Sequence, residues 1–211
     1  VVSAYAFSAG LSGLMAAGFA DRFDRKKMLL FFYTGFIIGT FLCGIAMNYQ
    51  FLLFARIFTG LFGGVIGSIV LAITADLFAF ELRGRVMGLL QTAFASSQVL
   101  GIPLSLYLSN HFGWHWPFML IVTIGAFVGI IIFKYLKPVD GHLKLKTDHF
   151  PIHHMLATVK NSKYLNAFAT TALVSLGGFL IMPFASAFTV HNLGISMEQL
   201  PMIYLSTGIA S

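Results

Sequence analysis

Residues 17–27, Ala-Gly-Phe-Ala-Asp-Arg-Phe-Asp-Arg-Lys-Lys, place six charged side chains, two acidic and four basic, between two long apolar runs. Charges so concentrated are too costly to sit in hydrocarbon. The flanking runs are each about the 20 residues a helix needs to cross it. The knot is therefore expected to be a short connection at one membrane face, and every other segment can be placed by reference to it.

The chain is 58% hydrophobic and 9% charged over 211 residues, with 23 Phe and 21 Gly. Soluble domains carry about 25% charged residues. No soluble core of this size hides so much apolar surface, so lipid must be the solvent for most of it. The expected fold class is an all-α polytopic membrane protein. Net charge is +6, but the basic residues lie in short inter-helix loops where topology explains them, so no nucleic-acid partner is expected. Cys43 lies in an apolar run with no second cysteine, which points to packing and away from a disulfide or metal site.

On a 20-residue ruler the spans are 1–20, 28–47, 51–75, 86–109, 118–133 and 164–190, with 201–211 beginning a seventh. The first two are separated by the charged turn, the next two by the loop 76–85. Gly101 and Pro103 interrupt the fourth span and Pro183 is expected to kink the sixth. Residues 134–163 form the long polar segment, with six Lys and four His. This divides the chain into a first transmembrane part (1–133), a central linker (134–163) and the start of a second transmembrane part (164–211). The chain opens and stops inside apolar runs and is read as a piece of a longer protein.

Twelve of the thirteen Lys and Arg fall in alternate loops: Arg22, Arg25, Lys26 and Lys27; Arg83 and Arg85; then six Lys between 134 and 163. The intervening loops hold none. The positive-inside rule assigns the basic side to the cytoplasm. Glycine pairs spaced by four (Gly35/Gly39, Gly60/Gly64 continued by Ser68 and crossed by Gly63 and Gly67, Gly125/Gly129) are expected to let helices approach closely.

The thirteenth basic residue, Arg56, lies inside a span. A guanidinium there costs about 2.5–3.5 kcal/mol on insertion scales, so it needs a partner, a watery cavity or a route to the headgroups. The favoured role is a cavity-facing one in proton coupling or anion contact; snorkelling is the alternative. Gln91 and Gln98, seven apart on one helix face, and Thr170 are candidates for lining a substrate site, with bonding across helices as the bland alternative. His149, His153 and His154 lack helical ligand spacing, and no GxxxxGK[ST] cradle or nucleophile–base set occurs. Neither metal, cofactor nor enzymatic activity is expected.

The charged turn resembles the signature that the major facilitator superfamily carries between its helices 2 and 3: Gly, three residues, Asp, a basic residue, any residue, Gly, then Arg and further basic residues. Asp21, Arg22, Arg25, Lys26 and Lys27 match it, while Ala17 and Asp24 stand where the two glycines are usual. Arg56-Ile57-Phe58-Thr59-Gly60-Leu61-Phe62-Gly63-Gly64 resembles the helix 4 motif. Residues 81–88 resemble the entry to helix 5, and 113–118 the entry to helix 6. The antiporter signature is matched poorly: Ser97, Gly101 and Pro103 give the kink without the register.

The resemblance covers helices 2 to early 8 of a twelve-helix fold. It implies a first helix and helices 9 to 12 outside this chain. It also implies a conformational gate of Asp21, Arg22, Arg25, Asp76 and Arg83, with a set of solvated topogenic charges as the alternative. Asp21 is further expected to face the N-terminal end of the helix beginning near Met28. The function implied is secondary transport by alternating access: proton-coupled efflux of a sugar or drug-like molecule by a monomer in the bacterial inner membrane. The partners expected are the small-molecule substrate, protons and the lipid bilayer. A facilitative or uptake carrier for a neutral or anionic solute, and a membrane receptor or structural protein without transport, remain open. The spans carry one Arg and no acid, which disfavours a cationic substrate unless another helix supplies a carboxylate.

Overall fold

A computed structural model describes residues 1–16, 22–144, 162–181 and 184–210. Its elements are α1 (Val2–Ala16), α2 (Arg25–Gly44), α3 (Tyr49–Leu77), α4 (Phe80–Ser96), a π-helical turn (Ser97–Gly101), α5 (Ile102–Phe112), α6 (Trp116–Tyr135), a 3-10 turn (Gly141–Lys144), α7 (Ser162–Ile181), α8 (Ala185–Leu193) and α9 (Leu200–Ala210). No strand occurs among the described residues. Helices Arg25–Gly44, Tyr49–Leu77, Phe80–Phe112 and Trp116–Tyr135 are long and apolar enough to cross a membrane, and Val2–Ala16 is a shorter apolar helix.

The helices run further into the charged connections than the 20-residue ruler predicts. The expected loop 76–85 shrinks to Phe78 and Ala79, with Asp76 in the last turn of α3 and Glu81 in the first turn of α4. An acid suits a helix N-terminus. Arg83 donates from Nε to the Phe78 carbonyl (3.1 Å) and from its terminal nitrogen to the Ala75 carbonyl (2.7 Å), satisfying groups that the end of α3 leaves unbonded. Charged side chains here close helix ends and do not break the helices. Pro183 lies outside the described residues.

Pro103 does not break its span. It lacks an N–H and its ring crowds the carbonyl four residues earlier, and the turn immediately before it, Ser97–Gly101, widens to π geometry. A widened turn is one way a helix absorbs such an obstruction while continuing.

α3 packs on both α1 and α2, and α6 packs on α2. Small residues form these seams. A Cβ at Gly60 would collide with Ser8 and the Tyr5 carbonyl, one at Gly64 with the Ala9 backbone, and one at Gly39 with Thr59. Ser12 donates its hydroxyl to the Leu61 carbonyl across the α1–α3 seam. Gly125 makes room for Ile37, and the Tyr33 hydroxyl donates to its carbonyl at 3.0 Å, tying α2 to α6. The ridge is shorter than its periodicity suggests: Gly67 faces open space, and Ser68 donates to Val65 in its own helix. Ala16, Met28, Leu29, Phe32, Val65 and Ile69 form the buried core between α1, α2 and α3.

Candidate functional site

At the charged end, α2 begins directly with Arg25, Lys26 and Lys27. Three cations at a helix N-terminus oppose its dipole. Asp24 offsets them as the N-cap, its carboxylate accepting from the backbone N–H of Lys26 (2.7 Å) and Lys27 (3.2 Å). The helix starts at Arg25, not near Met28 as expected, and Asp24 caps its end. Asp21 itself lies outside the described residues. Asp24, a departure from the family pattern, thus supplies the cap.

The Nε of Arg25 donates to Asp76 Oδ2 on α3 at 3.2 Å, and the Arg25 side chain is only 8% exposed against 27% for that of Asp76. The Arg25 backbone N–H donates to the Val139 carbonyl (3.1 Å), pinning the segment after α6, and Val139 is buried. Lys26 completes the junction, its Nζ donating to the Phe133 carbonyl (2.9 Å) and lying 5.6 Å from the Phe133 ring centre. The ends of α2, α3 and α6 are thus drawn together by one basic run. Arg22 is exposed in the turn before the cap, and Arg83 is directed to the end of α3. Of the expected gate residues, the structure brings together Arg25 and Asp76.

Arg56 lies seven residues into α3, about 10 Å along its axis. Its guanidinium sits over the Tyr5 ring of α1, 4.9 Å from the centre, and it is close enough to Cys43 of α2 for the side chains to interact. Cys43 is fully buried and lies 3.7 Å from the Thr59 hydroxyl. The charge is thereby held where three helices meet. Gly63 lies beneath Tyr5, where an added Cβ would sit 2.9 Å from the tyrosine hydroxyl. Tyr5 is the residue that sequence reasoning missed, because no spacing links an aromatic on one helix to an arginine on another.

Gln91 is exposed on α4, and Gln98 is half-buried on the π-turn. Thr170 is exposed on α7 and donates to the Asn166 carbonyl of its own helix at 2.9 Å. No hydrogen bond among the described residues joins the three.

The family profile "Major Facilitator Superfamily" matches residues 1–211. The chain belongs to the major facilitator superfamily. Members of this superfamily are multi-pass membrane transporters, not enzymes. Among curated superfamily relatives, Multidrug resistance protein 3 of Bacillus subtilis (strain 168) is 37% identical over 129 residues, 61% of this chain and 25% of that protein. The uncharacterized MFS-type transporter YtbD of the same strain is 28% identical over 99% of this chain and 52% of its own length. A probable sugar efflux transporter of Mannheimia succiniciproducens is 23% identical over 100% of this chain and 52% of its own length. The chain spans about half the length of these last two and a quarter of the first. A crystal structure of the peptide transporter POT in complex with sulfate has the same fold, with TM-score 0.55 and 18% identity over 94% of this chain and 38% of that one.

Proposed function

We propose that this chain is part of a secondary transporter that works by alternating access as a monomer, exporting a small organic molecule in exchange for protons. The basic end faces the cytoplasm of a bacterial inner membrane, as its lysines and arginines favour. The superfamily membership supports the transporter reading, and the efflux name of the Mannheimia relative supports the direction. The observation that carries the reading is Arg56: a guanidinium inside the helix bundle, stacked on Tyr5 and in no ion pair among the described residues. Intramembrane charges so placed mark ion and substrate pathways. A cation there favours a neutral or anionic cargo, with Gln91, Gln98 and Thr170 as lining candidates. At the basic end, Asp21, Arg22, Arg25, Asp76 and Arg83 act as the gate, with the Arg25–Asp76 pair shaping the surface on which the second half closes.

Arg56→Lys tests this. It keeps the charge but loses the planar group that stacks on Tyr5, and proton-driven flux by the full-length protein is expected to fall about tenfold or more. Undiminished flux in that variant would refute a role for the planar guanidinium.

A further inference from the structure

The ends of the spans that lack basic residues carry a contact that the sequence did not suggest. Asn110, one residue before the penultimate position of α5, donates its amide Nδ2 to the backbone carbonyl of Met197 at 2.8 Å, across 87 residues of chain. Met197 belongs to the turn between α8 and α9. That turn is internally braced: Gly194 takes a left-handed φ of 68°, Gln199 N–H donates to the Ser196 carbonyl, and the Gln199 side chain accepts from Ser196 N–H. The turn therefore presents the Met197 carbonyl from a fixed frame.

A second observation lies beside it. Among the described residues of 162–210, Leu200 is the only buried one, at 1% exposure. It opens α9, and α9 packs on α5 and on the π-turn Ser97–Gly101. Ser186 of α8 and Tyr204 of α9 share a hydrogen bond of 2.9 Å, so α8 joins the same unit. One apolar side chain is thus enclosed at the start of the helix that packs on α5, and one side-chain amide of α5 is bonded to the turn just before it.

We infer that Leu200 and Asn110 form an outer gate: Leu200 is the plug between α9 and α5, and the Asn110–Met197 hydrogen bond is the latch that holds it shut. The inference rests on the alternating-access reading above, because a plug has work to do only if this end opens. Opening separates α9 from α5, exposes Leu200 and breaks the latch. Removing one modest hydrogen bond from the shut state shifts the population toward the open one by roughly two- to tenfold.

The test uses the full-length protein with Cys43→Ser, in vesicles exposing the end without basic residues. Asn110→Cys with Met197→Cys is treated with a short reducible dithiol-reactive crosslinker. Separately, Leu200→Cys is labelled with a membrane-impermeant maleimide, with and without Asn110→Ala. Bridging of the cysteine pair, together with two- to tenfold faster labelling at 200 in the Asn110→Ala background, is expected. Absence of bridging overturns the contact, and equal labelling rates overturn the latch. A Val65→Cys control, at a fully buried core site, is expected to stay unlabelled in both backgrounds; a parallel rise there means general loosening and also overturns the latch. None of these readouts uses flux, so a parent protein that fails to transport refutes the alternating-access reading separately.

Discussion

Gly64→Ala is expected to destabilise the protein by about 1–3 kcal/mol, the range found when atoms are forced into a packed interior. The added methyl would fall on the backbone of Ala9 in α1. Backbone cannot swing aside as a side chain can, so α1 and α3 must separate. Separation strains the Ser12–Leu61 hydrogen bond and the Gly60 contact with Ser8 in the same seam. Lipid offers these helices no hydrophobic reason to stay together, so close backbone contact is most of what joins them. Gly67→Ala, less than one turn further along α3, is expected to have the opposite sign. Its Cβ meets nothing within 4 Å, so the gain in helix propensity of up to about 1 kcal/mol is not offset. Thermal unfolding of the two purified variants checks the contrast.

The second large effect concerns the charge pair, and it is asymmetric. Asp76→Ala takes an acidic partner from the Arg25 side chain, which is 8% exposed, whereas Arg25→Ala takes a basic partner from a side chain that is 27% exposed and can recruit water. Removing one partner of a well-buried pair costs about 3–5 kcal/mol, because a charge is left uncompensated. The partial exposure of Asp76 puts this pair below that range. Asp76→Ala is expected to cost more than Arg25→Ala, and the double variant less than the sum, with a coupling of about 1–2 kcal/mol. Strict additivity in the thermal stabilities of the four proteins would mean that the two side chains do not act together. The pair joins α2 to α3, and its loss is also expected to disturb the α6 end tied to Arg25 through Val139.

The apolar spans and the charged turn were legible because lipid imposes a length and excludes charge, and both constraints are written in composition. Helix ends were less legible. Asp76, Glu81 and Arg83 look like a loop in sequence, yet each suits a helix terminus, and Arg83 reaches back over eight residues to do so. The glycine ridges were recognisable as packing faces. Periodicity marks a face without naming what lies opposite, however, so the pairing of Gly60 and Gly64 with α1, and the open side at Gly67, emerged with the fold. The Tyr5 partner of Arg56 and the Asn110–Met197 bond were invisible for the same reason. Asp24 was read only as a departure from a family pattern, although a carboxylate directly before a helix is a cap signal in its own right.

The most direct test of the account is flux in proteoliposomes holding the full-length protein, with candidate sugars and drug-like solutes and a pH gradient that can be imposed or collapsed. Movement of at least one solute against its concentration gradient, in the direction opposite to proton flow and abolished by a protonophore, is the predicted result. Solute movement that merely equilibrates, unchanged by the gradient, would contradict proton coupling; no movement of any solute under either condition would contradict the transporter itself.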